Sequence, residues 1–114
     1  MRDTKRQSQV NAEIQQIAGQ ALIELEFPGD CLVTITRVSV APDLKRATIY
    51  LSVIPEHCWN GVKNVLKKEG REIQERVAHE MSMHTSPKLS FVLDDLELQA
   101  RKMEGLLDEV AKKE

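Results

Sequence analysis

Apolar residues at Val10, Ile14, Ile17, Ala18, Ala21, Leu22 and Leu25 recur at spacings of three and four, which predicts an amphipathic helix over residues 4–26. Its single stripe must lie against another surface. Phe27, Pro28, Gly29 and Asp30 then close it, because proline cannot continue a helix and glycine tolerates the turn that follows. The period changes to two after this stop. Residues 32–40 are rich in Val, Ile and Thr, and over residues 46–53 Ala47, Ile49, Leu51 and Val53 alternate with Arg46, Thr48, Tyr50 and Ser52, which predicts two strands. The first strand changes parity, with Val33 and Ile35 in one phase and Val38 and Val40 in the other, which implies either two partly covered faces or a bulge near Thr36 and Arg37. Ala41-Pro42-Asp43-Leu44-Lys45 between the strands reads as the turn of an antiparallel hairpin.

A second helical pattern begins near His57 or Trp59, with Val62, Leu66, Ile73 and Val77 on one face. The stripe keeps its phase through Gly70. A glycine inside a helix costs about 1 kcal/mol relative to alanine and often marks a kink or a close backbone approach, so a helix, a kink and a second helix are expected there. After Ser86-Pro87, Leu89, Phe91 and Leu93 alternate with Ser90, Val92 and Asp94, a third strand; Leu98, Met103, Leu106, Leu107 and Val110 then form the stripe of a C-terminal helix. The order α-β-β-α-(kink)-α-β predicts an α+β domain with a three-stranded sheet covered by helices on one face.

Composition narrows the class. At 114 residues, 41% hydrophobic and 30% charged, the chain reads as one compact domain over residues 1–114. No apolar run approaches the roughly 20 residues of a membrane span, and the N-terminus lacks a secretory pattern, which points to a cytoplasmic protein without a membrane partner. Cys31 and Cys58 lack CxxC spacing and are expected to be reduced thiols. The balance of 16 basic and 18 acidic residues argues against a protein that coats nucleic acid non-specifically, since that binding rests on counterion release by many Lys and Arg. Any nucleic-acid contact must be local.

Lys63, Lys67 and Arg71 at i, i+4 and i+8, with Lys68 beside them, form a basic edge leading to Gly70. Such a line, taken alone, is a solvated helix face, and Glu69, Glu72 and Glu75 offer local salt partners. Lys45 and Arg46 at the hairpin tip read as a polar turn or as an RNA contact, and Lys88 opens the third strand. Lys5 and Arg6 are a frayed end or an RNA-contacting arm. Catalysis finds no support: adjacent His57 and Cys58 rarely face each other and lack an orienting third group. His79 and His84, five apart, are poorly spaced as ligands of one metal. No metal or cofactor is expected. Trp59 reads as a packing residue at a helix start, and the 4% aromatic content argues against a dominant aromatic platform for bases.

The run VTITRVSVAPDLKRATIYLS, the glycine within the long helix and SPKLSF after it resemble the ribosome-binding factor A family of bacterial small-subunit assembly proteins. The specific pieces are Val38-x-Val40-x-x-Asp43-Leu44-x-x-Ala47-x-x-Tyr50-x-Ser52 and Pro87-x-Leu89-x-Phe91. The resemblance implies a type II KH-like fold and a non-enzymatic factor that binds a small ribosomal subunit precursor and its rRNA, supports late maturation and matters most in the cold. That family carries an Ala-x-Gly kink between two helices; here the corresponding place reads Lys68-Glu69-Gly70 or Glu69-Gly70-Arg71. In a module of this kind Gly70 permits close backbone approach, while Lys63, Lys67, Lys68, Arg71, Lys88, Lys45 and Arg46 position phosphates. A monomer without a small-molecule substrate is expected. The alternative is a protein-interaction module in which the helical stripes or the acidic last helix dock a partner.

Overall fold

A computed structural model describes residues 4–82 and 86–94. Helix α1 spans Lys5–Ile23 and starts at a reciprocal cap. The Thr4 hydroxyl accepts from the Gln7 amide, and the Gln7 side chain accepts from the Thr4 amide, satisfying two donors that the first turn leaves open. The helix ends three residues earlier than the stripe suggests, at an αR cap on Glu24. Leu25 then leaves the helical path to pack on the core, and Ile23 is left exposed.

Strands β1 (Leu32–Val40) and β2 (Arg46–Ile54) form the expected antiparallel hairpin, with the register shifting between Ile35 and Arg37. Thr36 is the extra residue of that bulge. It lets Val33, Ile35, Val38 and Val40 all share the phase of the buried β2 residues Val53, Leu51, Ile49 and Ala47. The turn is held by the Leu44 amide donating to the Ala41 carbonyl at 2.8 Å and by the Asp43 carboxylate accepting from the Lys45 amide at 3.0 Å. Leu44 takes a left-handed φ of 61°, a strained conformation for leucine that its burial in the core offsets.

After a 3₁₀ turn at Glu56–Cys58, helix α2 covers Trp59–Glu80. The kinked helix pair expected around Gly70 is therefore one helix. Val62, Leu66, Ile73 and Val77 are all buried on both sides of the glycine, and that packing outweighs a local propensity cost of about 1 kcal/mol. Strand β3 (Lys88–Leu93) lies parallel to β2, completing a mixed sheet of order β1-β2-β3. Both helices cover one face of it, around Val10, Ile14, Ala18, Ile49, Leu51, Ile73 and Val77. The expected C-terminal helix lies outside the described residues.

Helical carboxamides cover part of each free sheet edge. On β1, Gln7 Nε2 donates to the Val40 carbonyl at 3.2 Å and Asn11 Oδ1 accepts from the Val40 amide at 2.8 Å. On β3, Gln74 Nε2 donates to the Pro87 carbonyl and Gln74 Oε1 accepts from the Leu89 amide, both at 2.8 Å. Backbone groups that an edge leaves open are thus satisfied within the domain.

Cys31 and Cys58 form a disulfide, contrary to the expectation of reduced thiols. The pairing Leu32↔Ile54 is the physical reason, since it brings the residue before β1 beside the chain leaving β2. Two positions 27 apart in sequence thereby sit 6.1 Å apart at Cα, within bridging range. Among the described residues no helix is long and apolar enough to cross a membrane.

Candidate nucleic-acid interface

The eight residues singled out in the sequence fall into two groups. Lys63, Lys67, Lys68 and Arg71 are exposed on α2, whose opposite face is spent on the core. Gly70 shares the flank of Lys63, Lys67 and Gln74, and a methyl placed on it would lie 3.8 Å from Phe91 Cε2. This flank therefore runs beside β3, where Gln74 ties it to Pro87 and Leu89. Arg71 pairs with Glu75 at 3.4 Å, but with side chains 89% and 65% exposed the pair is screened and weakly held. Arg76, the remaining cation of α2, is engaged elsewhere: it reaches Glu24 at 2.7 Å and Glu80 at 2.8 Å, pinning α2 to the end of α1. Its hydrogen bond to Glu80, reinforced by the charge of Glu24, raises its pKa above the already high ordinary value.

Lys45, Arg46 and Lys88 form the second group. The Lys88 amide donates to the Lys45 carbonyl at 2.9 Å, and Arg46 and Lys88 are register partners across β2 and β3. Leu89 belongs to the core phase, so Lys88 projects with Arg46 on the other face, which no helix covers among the described residues. Like charges directly opposite each other in a sheet repel. Among the described residues neither is matched by a carboxylate, so this corner is electrostatically suited to an anion.

Sequence reasoning missed two residues of this surface. Gln74 sets the distance between the basic flank and β3, and its only signal is a neutral carboxamide among charged neighbours. Arg37 lies on the open face with its guanidinium 3.8 Å from the centroid of Tyr50. Its signal was the bulge, which fixes the parity that pairs Arg37 with Tyr50.

Among the described residues these features define a small α+β domain, with two helices on one face of a mixed sheet and cationic groups displayed on both sides of it. A family model for ribosome-binding factor A matches residues 4–107. Ribosome-binding factor A of Bdellovibrio bacteriovorus is 34% identical over 112 residues, covering 96% of this chain and 84% of that protein. The crystal structure of ribosome-binding factor A from Thermus thermophilus shares the fold, with a TM-score of 0.65, 20% identity and coverage of 76% of this chain and 93% of that one. So does a Thermus thermophilus homology model fitted into a cryo-EM map of a complex of that factor with the 30S subunit, with a TM-score of 0.61, 21% identity and coverage of 82% and 97%. The chain belongs to the ribosome-binding factor A family.

Proposed function

We propose that this domain is a non-enzymatic assembly factor that binds a small ribosomal subunit precursor through single-stranded rRNA and assists late maturation of that subunit, including 16S rRNA processing and growth in the cold. Lys63 and Lys67 hold phosphates beside β3, Lys68 and Arg71 extend the site over the adjoining outer face of α2, and the missing side chain at Gly70 permits close approach to the backbone. The observation that carries this reading is the concentration of weakly held or unmatched cations on two short surfaces of a chain whose formal net charge is only -2. The relative fitted into a 30S complex supports the choice of partner. Binding by so few cations is local and readily reversed by salt. The protein acts in the cytoplasm as a monomer and needs no cofactor.

Co-sedimentation with small subunits tests this directly. Reversing Lys67, Lys68 and Arg71 to Glu together is expected to abolish binding at moderate salt while leaving the melting temperature close to that of the parent. The parent itself should lose binding steeply with salt, its log–log slope reflecting about 0.7 for each phosphate contact to a single strand. Binding by the triple variant equal to the parent's would refute the α2 site. A complex that survives nuclease and high salt would instead assign the domain to protein docking.

A further inference from the structure

The face of the sheet that the described residues leave open has a chemistry of its own. Its strand positions bear hydroxyls at Thr34, Ser39, Thr48, Ser52 and Ser90, cations at Arg37, Arg46 and Lys88, and no carboxylate. Tyr50 stands at its centre, half-buried, with the Arg37 guanidinium stacked on it. Asp94 lies against the side of this stack, 3.9 Å from Arg37 Nε, and accepts from the Thr36 hydroxyl. Arg37 is thus oriented from beneath and from one side, yet its side chain is 48% exposed. An ordinary surface arginine is mobile; this one is held over the ring.

We infer that the Arg37–Tyr50 stack is a platform for a nucleobase of single-stranded RNA, whose adjoining phosphates run along the sheet to Arg46 and Lys88. This rests on the proposed RNA-binding role and adds to it a second surface on the side of the sheet away from α2. A guanidinium plane accepts a base by stacking and cation–π attraction as an aromatic ring does, which removes the need for many aromatic residues. The spacing suits a strand lying along β2: Tyr50 and Arg46 are four residues apart, about 13 Å at the rise of a strand. The unmatched Arg46↔Lys88 pair at its end has the repulsion that a phosphate would relieve. Apolar area on this face is confined to half-buried Val92 beside Tyr50 and to exposed Leu32 and Ile54 at the opposite end, less than the core of a protein interface holds.

The test is titration of the full chain with a short oligoadenylate, read by fluorescence anisotropy and by the Arg37 Nε–Hε resonance. The resonance is expected to move upfield from the ring current of a stacked base. Arg37→Lys keeps the charge and loses the plane, so affinity should fall about tenfold with the salt slope unchanged. Tyr50→Leu should fall similarly, and Tyr50→Phe should match the parent, which separates loss of the platform from loss of the fold. Arg37→Lys binding as tightly as a parent that does bind would overturn the platform and leave the proposed function standing. Unchanged affinity accompanied by shifts in the amides of residues 95–114 would assign this face to the chain's own C-terminal segment and overturn the platform as well. A parent that binds neither oligoadenylate nor small subunits would overturn both readings.

Discussion

Replacing Gly70 with Ala tests whether α2 is one helix. The glycine sits near the middle of 22 helical residues, where its backbone freedom costs about 1 kcal/mol relative to alanine. The new methyl would meet Phe91 Cε2 at 3.8 Å, an ordinary van der Waals contact, so no atom has to move. Adding partial burial of that methyl, the gain amounts to about 1 to 1.5 kcal/mol. For a domain of this size that raises the melting temperature by about 5 °C or somewhat more. Thermal unfolding followed by far-UV circular dichroism, with urea titration to confirm an unchanged slope, reads the effect directly. Gly61→Ala in the same helix supplies the contrast, because its methyl would lie 2.8 Å from Pro28 Cγ, too close to be accommodated without displacing that ring. There the propensity gain is cancelled or reversed by overpacking, with an expected loss of about 1 kcal/mol. A lowered melting temperature for Gly70→Ala would refute the continuous helix and restore a break that needs glycine. Stabilisation with weakened RNA binding would place the close backbone approach at Gly70.

Gln74→Ala leaves the Pro87 carbonyl and Leu89 amide without their partner and should cost about 1–2 kcal/mol, with faster hydrogen exchange at the Leu89 amide. Unaltered exchange there would show that the edge does not depend on Gln74. Ile14, fully buried between helix and sheet, should lose about 3 kcal/mol on replacement by Ala, measured by urea denaturation. Replacing Cys31 and Cys58 together with Ser opens a loop of 27 residues and should cost about 3.5 kcal/mol in the chain-entropy account. Alkylation of the native protein without reductant should modify neither cysteine, and modification of both would refute the link.

Period and parity made most of the fold legible. The three strands, the bulge at Thr36 and the core stripe of α2 each follow from a repeat of two or of 3.6, because each buries one face only. Gly70 misled for the opposite reason: its preference is local, whereas Val62, Leu66, Ile73 and Val77 act through the sheet they touch. The Cys31–Cys58 link had no signature in spacing, since it depends on the register Leu32↔Ile54. The same holds for the surface. Lys63, Lys67 and Arg71 were visible as a helical line, while the meeting of Arg46 with Lys88 required the parallel register of β2 and β3. The Arg37–Tyr50 contact required counting across both the turn and the bulge.

The bulge also gives β1 a spare residue. Skipping Thr36, the strand reads Val33, Thr34, Ile35, Arg37, Val38, Ser39, Val40, a regular alternation of inward and outward positions. Losing one residue at 36 or 37 therefore shortens the strand and keeps every apolar side chain inward. Losing Thr34 or Ser39 instead turns part of that set outward, and losing Ile35 or Val38 puts a polar residue in an inward place. A one-residue gap inside this strand that keeps all four apolar side chains inward therefore falls at 36 or 37.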